Sequence, residues 1–185
     1  LSLSNQASKF GTLLALIFAI PLIIEMEYVL KIWLHTPPAN AAVFCQLILC
    51  AFLIERLTVG SMLAVSAHGK VAGYQATVGG VLILTLPIAW LLLNMGMKPT
   101  SVGAAFVITM TLASFGRIVW MKRLFGMSIN MWTRSVFAAC LIVSMISLSA
   151  GAIAHFTMTE SLLRLGVVCF SSFVFSVAGI WNYAL

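Results

Sequence analysis

Residues 72–95, AGYQATVGGVLILTLPIAWLLLNM, form a run without a single charged side chain. A hydrocarbon layer of about 30 Å needs about 20 apolar residues in helical form, so this run is long enough to cross one. Five further stretches of the same character accompany it, at roughly 11–34, 42–67, 101–121, 135–156 and 161–182. Their separators carry turn chemistry: Thr36-Pro37-Pro38-Ala39-Asn40, His68-Gly69-Lys70, Met97-Lys98-Pro99-Thr100, Phe125 to Arg134, and Thr157-Met158-Thr159-Glu160. Backbone amides in lipid must be satisfied internally, which favours helices over strands, and the runs lack the alternation of a membrane barrel. The expected fold is an all-α integral membrane protein with six transmembrane helices.

Composition points the same way. Of 185 residues, 62% are hydrophobic and 8% charged, with a mean hydropathy of +1.13. A soluble domain carries about 25% charged residues. The shortfall in charge is decisive, because a soluble fold of this size needs a wetted surface that so few charges cannot supply. The net charge of +6 invites a nucleic-acid partner. However, the basic residues are scattered, and contact with membrane lipid headgroups explains them better. The first ten residues, LSLSNQASKF, do not resemble a signal peptide, and Trp181-Asn182-Tyr183-Ala184-Leu185 stops without a polar tail. Both ends read as cut, so the chain is expected to be a piece of a longer protein.

Orientation follows from the basic residues of the loops. With the N-terminus in the cytoplasm, that side collects Lys9, Lys70, Lys122, Arg123 and Arg134, and the other side Lys31, Lys98 and Arg164. The one dense cluster then lies inside, and both chain ends are cytoplasmic. Trp33, Trp120, Trp132, Trp181 and Tyr183 at span ends suit the interfacial aromatic belt. Pro21 and Pro87 fall within helical runs and each removes an amide donor. Gly79-Gly80, Ser147/Gly151 and Ala150/Ala154 are spacings that permit close helix packing.

Ionisable residues inside spans carry the most information, since a charge at the bilayer centre costs at least about 2.5–3.5 kcal/mol. Glu55 and Arg56 lie near the middle of the second span. Adjacent positions on a helix point about 100° apart, so each is expected to find its partner on another helix or in a wet cavity. The bland alternative is a structural inter-helix pair. In the first span, Glu27 and Lys31 are four apart in the favourable order for pairing, which leaves Glu25 over as a cavity-facing candidate. Arg117 sits about a turn inside the fourth span, where it either snorkels to the cytoplasmic headgroups or faces the interior.

Several chemistries lack their equipment. There is no Gly-x-Ser-x-Gly elbow, HExxH or P-loop, and no mid-span histidine to act as a base. The residues therefore argue against an enzyme. Cys45, Cys50, Cys140 and Cys169 all fall in apolar runs without a CxxC pair, and His35, His68 and His155 sit at segment ends. Buried apolar thiols are expected, with no metal site and no cofactor.

Taken in order, Pro21-Leu-Ile-Ile-Glu-Met-Glu-Tyr-Val-Leu-Lys-Ile-Trp-Leu34 followed by Pro37-Pro38 resembles the "P…E…iL…WL…P" segment of bacterial polysaccharide repeat-unit flippases. Ala67-His68-Gly69-Lys70 is similar to their "ATGK" turn, with His at one position, and Tyr74-Gln75 follows it. The likeness continues through Leu86-Pro87-Ile88-Ala89-Trp90, Leu93-Asn-Met-Gly96, Pro99, and Arg117 with Lys122. It covers most of residues 10–130, and the last two spans match in hydropathy alone.

That resemblance implies a MATE-like superfamily member of the O-antigen type, built from two six-helix lobes. This chain would be the C-terminal lobe with its two terminal helices, and the missing N-terminal lobe of the same chain would be its partner. The implied activity is alternating-access transport of undecaprenyl-diphosphate-linked oligosaccharide across the bacterial cytoplasmic membrane, in polysaccharide biosynthesis. Guanidinium groups in a wet cavity would offset desolvation of the diphosphate, which makes Arg56 and Arg117 the substrate-binding candidates. A cavity carboxylate could couple transport to H+ or Na+, with Glu55 first and Glu25 second. These roles follow from position and charge, not from a transferred motif. The rivals are a cation-coupled multidrug antiporter of the same superfamily, which calls for a net acidic cavity, and a non-transporting membrane scaffold subunit.

Overall fold

The computed structural model describes residues 2–69 and 71–184, apart from the side chains of Ser2, Tyr183 and Ala184. Lys70 and the Tyr183 ring, assigned above to the cytoplasmic turn and the aromatic belt, lie outside that set. The described residues are helical with short connections. They comprise α1 (Ser2–Leu34), α2 (Ala41–Arg56), α3 (Val59–Ala67), α4 (Val71–Ile83), α5 (Thr85–Asn94), α6 (Ser101–Phe125), α7 (Ile129–Trp132), a π-helical turn (Thr133–Phe137), α8 (Ala138–Thr157) and α9 (Leu162–Ala184). Five helical stretches are long and apolar enough to cross a membrane, and α2 with α3 makes a sixth when the bent pair is counted as one span. Large apolar side chains such as Phe18, Leu86, Trp90, Phe115, Phe156 and Phe170 point outward. Contiguous exposed apolar surface of this kind needs lipid, not water, around it.

The breaks have local causes. Pro87 has no amide to donate to the carbonyl four residues back, which belongs to Ile83, the last residue of α4. The Thr85 hydroxyl donates one residue earlier, to the Leu82 carbonyl at 2.6 Å, and it pairs with Thr109 of α6 at 2.7 Å. No proline breaks the second span, which bends by 47° between Arg56 and Val59. There the Thr58 amide and hydroxyl both turn back to the Glu55 carbonyl, at 3.0 and 3.2 Å. The Gly60 amide then donates to Ser8 Oγ on α1 at 2.9 Å. Glycine is required at this point, because a Cβ on Gly60 would overlap the Ser4 backbone carbonyl. Helix α1 kinks at Glu25 (φ −103°, ψ 19°), one turn beyond Pro21, and Gln46 of α2 donates to the nearby Ile23 carbonyl at 2.8 Å.

Helix α1 is the hub, packing against α2, α3, α8 and α9, while α6 holds α2, α4 and α5. Over their most apolar windows α1 is 44% buried and the α4–α5 span 11%, so α4–α5 is peripheral. Gly79 and Gly80 accordingly meet nothing that a Cβ would touch, which corrects their reading as packing glycines. The Ser147/Gly151 expectation fares better: both are buried, and Gly151 abuts Ile24 and Val168. Trp132 is also buried, not part of an exposed belt, and stacks near Phe137. Cys140 is buried, but Cys169 faces outward beside an apolar groove between α1 and α9.

Candidate functional site

Two charge clusters lie within the bundle. The first gathers where α2 breaks. Arg117 of α6 places Nη2 3.6 Å from Glu55 Oε1, and Arg56 places its own Nη2 3.6 Å from Glu55 Oε2. Adjacent residues therefore do meet, against expectation. Helix α2 ends at Arg56, whose long side chain reaches back to Glu55 and also sets its guanidinium 4.9 Å above the Phe52 ring. Arg117 does not snorkel outward: its side chain is 5% exposed, and Nη1 donates to Thr58 Oγ1 at 3.2 Å. Thr58 in turn contacts Ser114 Oγ at 3.3 Å.

Charge in this cluster is unbalanced, because two guanidinium groups share one carboxylate. The side chains of Glu55 and Arg56 remain 27% and 32% exposed. Arg56 Nε and Arg117 Nε have no hydrogen-bond partner, and the buried Tyr74 hydroxyl lies beside the Arg117 guanidinium. A cleft of about 350 Å3 with an almost wholly apolar lining lies between Ile54, Leu57, Phe115, Ile118 and Trp132, and the buried Thr58 and Ser114 border it. Arg117 does not line the cleft and is linked to it through its hydrogen bond to Thr58.

The second cluster lies toward the opposite ends of α1, α8 and α9, and sequence reasoning caught only one of its members. Glu25, fully buried at the kink of α1, accepts a 2.6 Å hydrogen bond from Arg164 Nη2 and shares 2.9 Å with His155 Nδ1. Arg164 is thus no loop residue: its side chain is 6% exposed, and Nη1 also reaches the Met158 carbonyl. His155, read as a segment-end residue, is 37% exposed and bridges the carboxylate to the surface. Glu25 is therefore not an open cavity wall but the buried anion of an internal triad. Farther out, Lys31 pairs with Glu160 at 3.0 Å and not with Glu27, which is exposed. The favourable spacing lost to a partner carried in by the α8–α9 connection. The Glu160 carboxyl is held below its ordinary range, chiefly by that hydrogen bond from Lys31. Among the described residues, no group of three or more His, Cys, Asp or Glu side chains gathers to hold a metal ion.

Fold and clusters together describe a multi-pass helical bundle with ionic centres inside its apolar mass. No protein-family model matches the chain, and neither does any curated protein or any solved structure.

Proposed function

We propose that this chain is one lobe of an alternating-access membrane transporter and that its substrate is an anionic lipid-linked oligosaccharide, an undecaprenyl diphosphate in the reading above. The observation that carries the proposal is the excess of guanidinium over carboxylate at the break in the second span. A buried ion pair built for stability alone would be balanced, since an uncompensated charge in a low-dielectric interior is costly. Here one positive charge is left over, on side chains 32% and 5% exposed, with both Nε donors unpaired. A diphosphate presents the planar oxygen pairs that a guanidinium fork matches. Arg56 is the more open group and would meet the phosphates first. Arg117 would be released to them from Thr58 and Glu55.

The sequence likeness to polysaccharide flippases over most of residues 10–130 supports the same substrate class, a MATE-like C-terminal lobe, and a cytoplasmic-membrane location with both ends inside. The net positive cluster disfavours the cation-antiporter rival. Arg56→Ala is expected to abolish export of the oligosaccharide while the protein level in the membrane stays unchanged. Wild-type export by that variant would remove Arg56 from the mechanism and defeat the reading.

A further inference from the structure

The end of the bundle where α1 begins and α6 finishes carries a polar surface apart from both charge clusters. Asn5 and Lys9 lie four apart and so share one face of α1, and this part of α1 packs against the π-helical turn. That turn is closed by the Ala138 amide, which donates to the Thr133 carbonyl five residues back. Such turns are rare inside helices and recur at functional sites. Two recesses open beside it, with Met131 and Ser135 as their common wall. One, of about 230 Å3, lies against α1 and is bordered by Asn5, Gln6 and Lys9. The other, of about 460 Å3, takes in Asn130 and Arg134. The larger one alone falls within the roughly 300–1,000 Å3 typical of small-ligand sites.

An exposed arginine at a membrane surface is ordinary, and one by itself would carry nothing. Here its surroundings are selective. Arg134 has no ion-pair partner among the described residues. Neither recess includes a carboxylate or an aromatic ring among its described lining residues; the four carboxylates of the chain are Glu25, Glu27, Glu55 and Glu160. An ammonium headgroup needs a carboxylate or an aromatic cage to hold it, so ethanolamine and choline find no counterpart. A phosphate does. The Arg134 guanidinium offers it paired donors, and Lys9 adds positive charge on the far side of the shared wall. The amides of Asn5, Gln6 and Asn130 and the Ser135 hydroxyl both donate and accept, which suits phosphate oxygens and uncharged hydroxyl groups alike.

We propose that the two recesses hold the headgroup of an anionic phospholipid whose phosphate is esterified to an uncharged polyol, of the phosphatidylglycerol kind. Location decides for a lipid over a soluble phosphate. The recesses stand at the start of the long apolar stretch Ile129–Thr157. About two to three turns farther along it, Leu141, Ile142, Met145 and Ile146 turn exposed apolar side chains outward. Acyl chains descending from a headgroup at Arg134 run along that surface into the hydrocarbon layer. The basic Lys122 and Arg123 in the last turn of α6 belong to the same end of the bundle and enrich anionic lipid there without contacting the recesses. The inference goes beyond the transport reading and does not depend on it.

The test is native mass spectrometry of the purified protein released from micelles that carry phosphatidylglycerol and phosphatidylethanolamine in equal amounts. Wild type is expected to retain phosphatidylglycerol in preference by about fivefold, the effect of one basic group near a membrane surface. Arg134→Gln should abolish the preference. Arg123→Gln, an equal loss of charge at the same end, should keep it. Asn130→Leu removes no charge and should still reduce it, which a diffuse field would not do. All three positions are exposed, so the substitutions leave the packed interior intact. Glycerol phosphate, the same headgroup chemistry without tails, should not displace the retained lipid. Equal retention of the two lipids by wild type, equal losses in Arg123→Gln and Arg134→Gln, or no effect of Asn130→Leu would overturn the proposal. Displacement by glycerol phosphate would overturn it in favour of a soluble phosphate ligand.

Discussion

Arg164→Met removes the guanidinium from Glu25 while keeping most of the side chain's length. The pair it breaks is 2.6 Å long, with both side chains nearly withdrawn from solvent, at 6% and 0% exposure. Removing one partner of such a pair strands a buried charge, which costs about 3–5 kcal/mol. His155 retains one contact to the carboxylate, which places the expected loss at the lower end, about 3 kcal/mol. Glu25→Leu should cost a similar amount by stranding Arg164. Replacing both residues together removes the stranded charge in each case, so Glu25→Leu/Arg164→Met should be far less damaging than the two single losses added. The assay is reversible denaturant unfolding of the purified protein in mixed micelles, followed by fluorescence of its five tryptophans. A coupling energy of about 2 kcal/mol or more is expected from the cycle. Single losses below about 1 kcal/mol, or losses that simply add, would refute the buried-pair reasoning.

Other consequences are as specific. Gly60→Ala drives a Cβ into the Ser4 carbonyl and should destabilise by about 1–3 kcal/mol. Gly79→Ala meets nothing and should stabilise by up to about 1 kcal/mol through helix propensity; the same unfolding assay distinguishes them. The Glu160 carboxyl is held low by Lys31, so the pair's contribution is complete above the ordinary glutamate range and is lost as pH falls through the lowered folded value. A carbon-detected NMR titration of Glu160 should show that lowered midpoint, and Lys31→Met should return it to the ordinary range. Pro87→Ala restores a donor to the Ile83 carbonyl, and spin-label distances along α4–α5 should report a straighter span.

Much of the bundle was legible in the apolar runs, because a bilayer sets a minimum run length that chance seldom meets. The α4–α5 break was legible from Pro87, and the kink of α1 from Pro21. The bend after Arg56 was not, since a threonine turning onto Glu55 and a glycine admitted by α1 leave no strong local mark. Glu25 could be singled out as an ionisable residue inside a span, but its partners could not. Arg164 and His155 lie within a turn of segment ends, where interfacial solvation is the default reading. The available signal was that Arg164 already lies inside the apolar run 161–182. Tertiary contact also decided Lys31, whose partner sits 129 positions away.

Binding of an isoprenyl diphosphate to the reconstituted protein tests the cluster at the α2 break most directly, with the monophosphate and a quaternary ammonium compound as comparators. The account predicts tightest binding of the diphosphate and at least a tenfold loss in Arg56→Ala, about 1.4 kcal/mol and within reach of one charged hydrogen bond. Equal affinity for the two phosphates with no effect of Arg56→Ala, or a preference for the ammonium, would contradict it.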